Sequence, residues 1–149
     1  MRAVVQRVGR ASVSVDGKIA GEIGPGLLVF VGVGRGDTQQ DADYVATKIL
    51  GMRIFQDDEG KMNLDVAQAG GSVLVVSQFT LFGDIRKGKR PDFAMAALPD
   101  EARNLIEQIV QRINRANIVV QTGVFGSHMI VDIENDGPVT IMLDSRKVF

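Results

Sequence analysis

Val73-Leu74-Val75-Val76-Ser77-Gln78-Phe79-Thr80-Leu81-Phe82-Gly83 is the stretch on which the reading of this chain turns. Its first four residues form a short β-branched apolar run, the pattern of a buried strand. At Ser77 the character changes, and two hydroxyls, an amide and an aromatic ring follow within four residues. A strand end fixed by a packed core holds a catalytic or binding constellation rigidly. The competing reading continues the strand through Gln78-Phe79-Thr80-Leu81, with Phe79 and Leu81 inward and the polar residues outward. Pattern alone leaves both readings open.

N-terminal to this stretch, Met1 to Val8 and Ala11 to Val15 are strand-like, the second with clean alternation. Asp16-Gly17 is a strong two-residue hairpin signal, with a return strand through Lys18 to Ile23. Gly24-Pro25-Gly26 then turns the chain into Leu27 to Val33, apolar on both faces and therefore expected at the centre of a sheet. The opening third is thus expected to be adjacent antiparallel strands. Gly32-Val33-Gly34-Arg35-Gly36 resembles a dinucleotide loop, but its third glycine comes one place early and no βαβ unit frames it. It reads as a turn. Asp37, with Gln40 three residues on, has the spacing of a capping box. The helix it opens carries Ala42, Val45, Ala46, Ile49 and Leu50 on one face and ends near Gly51. Arg53 to Gln56 reads as a short strand. The acidic Asp57-Asp58-Glu59-Gly60-Lys61 lacks the ligand spacing of a calcium loop and reads as a solvated hairpin tip.

C-terminal to the central stretch, Arg86-Lys87-Gly88-Lys89-Arg90 places four cations in five residues close to the hydroxyl-rich strand end. Such a run is commonly a solvated loop, but at this position it is also a candidate clamp for a phosphate backbone. Asp92 to Ala97 reads as a short helical turn. Pro99-Asp100-Glu101 opens the clearest helix, whose Ala102, Leu105, Ile106, Ile109, Val110 and Ile113 recur at helical spacing and read as scaffold. Asn117 to Thr122, Met129 to Glu134 and Val139 to Leu143 read as three closing strands. Asn135-Asp136-Gly137-Pro138 forms the turn between the last two.

A length of 149 residues, with 45% hydrophobic and 23% charged residues, is that of one soluble globular domain spanning 1–149. No apolar run reaches the roughly 18 residues a membrane span needs, and the N-terminus lacks a signal-peptide pattern. Absence of cysteine excludes a disulfide, a thiolate nucleophile and a cysteine metal site, and fits a cytoplasmic location. A net charge of −1 means that any nucleic-acid contact must come from a local patch. The single histidine, His128, rules out a histidine-rich metal centre within one chain and is a weak candidate base.

Ser77-Gln78-Phe79-Thr80-Leu81 and Asn135-Asp136-Gly137-Pro138-Val139-Thr140 together resemble the two signature motifs of the D-aminoacyl-tRNA deacylases. The resemblance runs from Met1-Arg2-Ala3-Val4-Val5-Gln6-Arg7-Val8 to the C-terminus, with neither motif departing from the family pattern. It implies a three-layer α/β/β fold with largely antiparallel or mixed sheets, and an obligate homodimer with an active site at each of two equivalent interface positions. Ser77, Gln78, Phe79 and Thr80 of one subunit would line the pocket, and a cis Gly137-Pro138 turn would enter from the other. Phe125 and Met129 would add apolar lining. The implied substrate is the ester joining a D-amino acid, or glycine mischarged on tRNA-Ala, to the terminal ribose of tRNA. The products are free amino acid and tRNA, with no metal or cofactor required.

The residue types suit that task. Side-chain contacts cannot distinguish D from L when the side chain itself varies, whereas main-chain atoms of Gly137 and Pro138 can occupy the space an L substituent needs. Backbone N–H groups at Phe79 and Thr80 are candidate oxyanion donors. Thr80 is expected to position or polarise rather than form an acyl-enzyme, because no base is evidently paired with it; the tRNA 2′-hydroxyl is the alternative assistant. Arg86, Lys87, Lys89 and Arg90 are the expected tRNA contacts. Two other readings compete: a non-catalytic RNA-binding module built on that basic loop, and a nucleotide-binding enzyme using Gly32 to Gly36.

Overall fold

The alternating N-terminal segment folds as one strand, not two. In the computed structural model, which describes residues 1–149, β1 runs without interruption from Arg2 to Val15. Gly9 and Arg10 do not end it, because β8 (Ile130–Asp144) lies antiparallel beside both halves and takes up the mismatch in irregularities on either side of Val8. The Asp16-Gly17 turn forms as expected: φ is 50° and 76°, the left-handed pair that such a hairpin requires. β2 (Lys18–Ile23) pairs with the second half of β1, and β3 (Gly26–Gly32) pairs with the first half. Beyond β3 the sheet becomes parallel, through β6 (Ser72–Ser77) and then β7 (Val120–Thr122). The order is β2-β1-β3-β6-β7, with β8 also on β1; β4 (Phe55–Gln56) and β5 (Met62–Leu64) form a separate small hairpin.

Side-chain alternation on β3 and β6 explains the layering. Leu27, Val29, Val31, Val73 and Val75 face a core of 21 buried residues completed by the two helices. Leu28, Leu74 and Val76 point the other way and meet Val8, Ala11, Val13 and Ile23, from β1 and β2, in a second core. A strand pair apolar on both faces therefore lies between helices and a further β layer, which is the expected α/β/β arrangement. The second layer lies close: a Cβ on Gly21 of β2 would stand 2.7 Å from the carbonyl oxygen of Thr122 on β7. No helix is long and apolar enough to cross a membrane.

Helix α1 (Gln39–Gly51) buries Ala42, Val45, Ala46 and Ile49, as its periodicity indicated. Its cap differs from expectation. Thr38 is the N-cap and Asp41 closes the box, accepting from the Thr38 N–H at 2.8 Å. Asp37 is drawn inward instead, where it meets the Met1 ammonium at 2.7 Å and Arg146 at 2.7 Å. Helix α2 (Pro99–Arg115) starts at its proline and buries Ala102, Leu105, Ile109 and Ile113; Arg112 ties it to α1 by pairing with Asp43 at 2.6 Å.

Three further expectations are corrected. Asp92 to Ala97 contains no helix and is held by bridges of Asp92 to Asp84 and of Ala96 to Gly34. The Asn117 strand shortens to Val120–Thr122. Met129 to Glu134 and Val139 to Leu143 are not two strands joined by a hairpin, because both halves pair with the same neighbour, β1. Between the pairs Val8–Asn135 and Gln6–Thr140, β8 advances five residues while β1 advances two. Asp136, Gly137 and Pro138 are thereby pushed out as a bulge. The glycine-rich turn at Gly34 has a packing cause: a Cβ there would stand 2.7 Å from the ring of Phe82.

Candidate active site

β6 stops at Ser77, and the chain turns into a single 3-10 turn over Phe79–Phe82, so the continued-strand reading is not the one adopted. Gln78 keeps contact with the sheet by donating its N–H to Val31 O at 2.8 Å. The turn closes through Leu81 N–H to Gln78 O (3.3 Å) and Gly83 N–H to Thr80 O (2.9 Å). The first N–H groups of such a turn, those of Phe79 and Thr80, have no acceptor inside it. A buried floor braces the turn. Arg2 donates to Leu81 O at 2.9 Å, lies 4.7 Å from the Phe82 ring centroid and is itself held by Asp144. Phe79 is left 56% exposed, with its ring edge-on to Phe93 at 5.0 Å.

Beside this turn is a cavity of about 400 Å³. Ser77, Gln78 and Phe79 form one wall, Val31 of β3 and Val33 just beyond it the floor, and Ala97 together with Pro99, Ala102 and Ile106 of α2 the side. Phe125, Gly126, Ser127 and Met129, from the β7–β8 connection, complete it. The cavity thus unites five of the residues expected to meet substrate: Ser77, Gln78, Phe79, Phe125 and Met129. Thr80 is not in the lining, but its hydroxyl accepts a hydrogen bond from the Gln78 side-chain amide at the rim. No lining residue carries an ionisable side chain, and His128 is not among them. The chain has no cluster of three or more His, Cys, Asp or Glu side chains arranged to hold a metal.

Gly137 and Pro138 are not part of this cavity. They are exposed on the β8 bulge, joined by a cis peptide bond, with Gly137 at φ 125°. The buried Arg7 anchors the bulge, donating to Asp136 O at 3.2 Å and to Ile54 O at 2.6 Å. Asn135 closes it by donating to Arg7 O (3.3 Å) and Val139 O (3.0 Å) and accepting from Val139 N–H (3.1 Å). One chain therefore keeps its two motifs apart.

The basic loop is a projection closed at its base by the Asp84–Asp92 bridge, adjacent to the 3-10 turn. Its four cations are not equivalent. Arg86 is folded back on Asp84, with contacts of 2.9, 3.0 and 2.5 Å, and these bonds hold the Asp84 carboxyl well below the usual carboxylate range. Lys87, Lys89 and Arg90 are exposed and take part in none of the chain's ion pairs.

Several contributors were not singled out from sequence. Ala102 and Ile106 read as scaffold, yet the α2 face that packs on the sheet also walls the cavity, four residues apart on one side. Arg7 did leave a signal: it takes an odd position in Met1-Arg2-Ala3-Val4-Val5-Gln6-Arg7, where Met1, Ala3 and Val5 are buried. Ser127 and Phe93 left none.

A sheet covered by helices on one face and by its own strands on the other, with an apolar cavity bordered by hydroxyl and amide groups, defines an α/β/β protein equipped to seat a small ligand. The chain belongs to the D-Tyr-tRNA(Tyr) deacylase family, whose model matches residues 4–144. Among curated relatives, a D-aminoacyl-tRNA deacylase of Heliobacterium modesticaldum is 57% identical over 146 residues, covering 98% of this chain and 97% of its own. That of Thermosipho melanesiensis is 55% identical over the full length of both chains. Among solved structures, the c-Myc DNA unwinding element binding protein superposes with a TM-score of 0.90 at 40% identity, over 97% of this chain and 98% of its own. A probable eukaryotic D-amino acid tRNA deacylase shares the fold with a TM-score of 0.79 at 18% identity, over 95% of this chain and 97% of its own.

Proposed function

We propose that this protein hydrolyses the ester bond of D-aminoacyl-tRNA, releasing free D-amino acid and tRNA. The observation that carries the reading is the cavity at the end of β6, where Ser77, Gln78 and Phe79 meet an apolar wall beside the N–H groups of a 3-10 turn. In this mechanism the ester carbonyl lies over that turn, and the Phe79 and Thr80 N–H groups bind the oxygen that becomes negative in the tetrahedral intermediate. Losing one such donor costs about 2.7–4 kcal/mol of barrier. Gln78 fixes the Thr80 hydroxyl, so Thr80 orients the attacking water or the substrate instead of forming an acyl-enzyme. A cavity lined without ionisable side chains supplies no general base. The neighbouring 2′-hydroxyl of the terminal ribose is the group we assign to assist proton transfer.

Chiral selection, in this reading, needs a second copy of the chain. β8 is long, offers one edge without a partner strand, and exposes Ile130 and Met142, each at 60%. The buried Gln6 Oε1 on the strand beside it has no hydrogen-bond partner. Pairing of two copies over this region would cover Ile130, Met142 and the open strand edge and carry the Gly137-Pro138 bulge of each copy to the cavity of the other. Its main-chain atoms would then fill the space an L side chain needs while admitting any D side chain. Glycine, lacking a β-carbon, would pass the same test, which extends the substrate range to glycyl-tRNA mischarged on tRNA-Ala. Lys87, Lys89 and Arg90 are the proposed contacts to the tRNA backbone, acting in the cytoplasm.

The test is deacylation of D-tyrosyl-tRNA and L-tyrosyl-tRNA by purified protein at low enzyme concentration. Rapid loss of the D ester with the L ester spared is expected. No turnover of either, with tRNA still bound, would replace the hydrolase by an RNA-binding module.

A further inference from the structure

We propose that a second groove, between α2 and β7, receives the nucleotide preceding the terminal adenosine of tRNA, with Arg103 holding the phosphate that links the two; this rests on the deacylase reading above. The groove measures about 520 Å³ and shares Ser77, Ile106 and Phe125 with the active cavity. A ligand seated in the cavity and extended past Phe125 therefore enters the groove directly. The phosphate between two nucleotides must lie where one volume passes into the other.

Arg103 stands at that boundary. Its guanidinium lies 5.0 Å from the centroid of the Phe125 ring, one of the three residues both volumes share. Arg2, Arg7, Arg86 and Arg146 all donate to carboxylates or carbonyls within the chain, whereas Arg103 makes no ion pair and no side-chain hydrogen bond. A guanidinium resting on an aromatic face keeps its N–H edge directed outward, and its planar fork fits phosphate oxygens.

The remainder of the groove suits a nucleoside. Val75, Ile106 and Val110 form an apolar surface for a base or ribose, while Gln111 and Thr122 offer hydrogen-bonding groups at its edge. Glu107 is the one anion in the lining and lies a turn beyond Arg103 on α2. It disfavours phosphate along the groove and leaves the Arg103–Phe125 end as the place for that charge.

The experiment compares D-tyrosyl esters of adenosine and of the dinucleotide cytidylyl-(3′→5′)-adenosine. For the wild-type protein, kcat/KM should rise about tenfold on adding the nucleotide, the scale of one charge-assisted hydrogen bond. Arg103→Ala should abolish that gain while leaving hydrolysis of the adenosine ester unchanged, and Arg103→Lys should restore part of it. On full-length tRNA, the slope of log(1/KM) against log[salt] should become shallower by about 0.7–0.9 in Arg103→Ala. A wild-type protein that gains nothing from the added nucleotide would overturn the proposal. So would an Arg103→Ala variant that keeps the gain or loses activity equally on both esters. Failure of the wild-type protein to cleave D-tyrosyl-tRNA at all would instead remove the deacylase reading.

Discussion

Replacing Asn135 by alanine tests how the β8 bulge is held. The Asn135 side chain closes the ends of the bulge with three hydrogen bonds: two donated, to Arg7 O and Val139 O, and one accepted from Val139 N–H. Val139 is 7% exposed, so in Asn135→Ala its N–H loses its partner in a place water barely reaches. An unsatisfied buried donor costs about 1–3 kcal/mol, and each lost bond to a carbonyl adds about 0.5–1.5 kcal/mol when water cannot fully replace it. The more exposed carbonyls will be partly rehydrated, which brings the sum to about 2–4 kcal/mol. For a chain of this size each kcal/mol lowers Tm by about 2–4 °C, so a fall on the order of 10 °C is expected. Asn135→Asp retains the acceptor for Val139 N–H but loses both donors, and should recover about half of the loss. The assay is urea and thermal unfolding at matched protein concentrations, since self-association would itself raise stability, combined with the D/L ratio of deacylation rates. Under the proposed mechanism, in which the bulge selects and the cavity reacts, discrimination should fall more steeply than the rate on the D ester. An Asn135→Ala protein within about 0.5 kcal/mol of wild type, with its D/L ratio intact, would refute the reasoning.

Two further outcomes concern the basic loop. Reversing charge at Lys87, Lys89 and Arg90 should weaken tRNA binding and flatten its salt slope by about 0.7–0.9 per contact removed, whereas Arg86→Ala alone should change the slope little because that guanidinium is occupied by Asp84; fluorescence titration across a salt series reads both. The Asp84 carboxyl should titrate well below the unfolded value of about 3.9 by side-chain NMR, and Arg86→Gln should return it towards that value. Because the folded value is the lower one, the pair's contribution to loop order is complete above about pH 3.9 and is lost as pH falls through the folded value. An Asp84 signal that titrates near 3.9 in the native protein would contradict the pairing.

Local chemistry makes much of this protein legible in its sequence. Hairpin geometry follows from Asp16-Gly17, helix α2 from a proline, two acids and an apolar stripe, and the central position of β3 and β6 from runs apolar at every residue. These signals survive because each depends on residues close together in sequence. The motif pair around Ser77 and Gly137 likewise carries the family. What misled were positions decided by distant partners. Asp37 has the spacing of a cap, but the Met1 ammonium and Arg146 compete for its carboxylate, and Thr38 caps instead. Asn135 to Pro138 have the composition of a hairpin turn, yet β1 pairs with the chain on both sides of them, and the ladder turns a corner into a bulge.

The sequence by itself determined the two helices, the Asp16-Gly17 hairpin, the buried strands β3 and β6 and the family, since propensity, periodicity and motif identity are properties of contiguous residues. Only the tertiary structure decided that Ala102 and Ile106 of α2 wall the cavity beside Ser77, Gln78 and Phe79, that Thr80 lies outside its lining and is engaged by Gln78, and that Asp136 to Pro138 bulge from a single strand. It also separated four adjacent cations into one tethered arginine and three free charges. The physical reason is common to all of these. Cavity walls, ion-pair choice and strand register are set by groups tens of residues apart, and chain folding alone brings them within a few ångströms of one another.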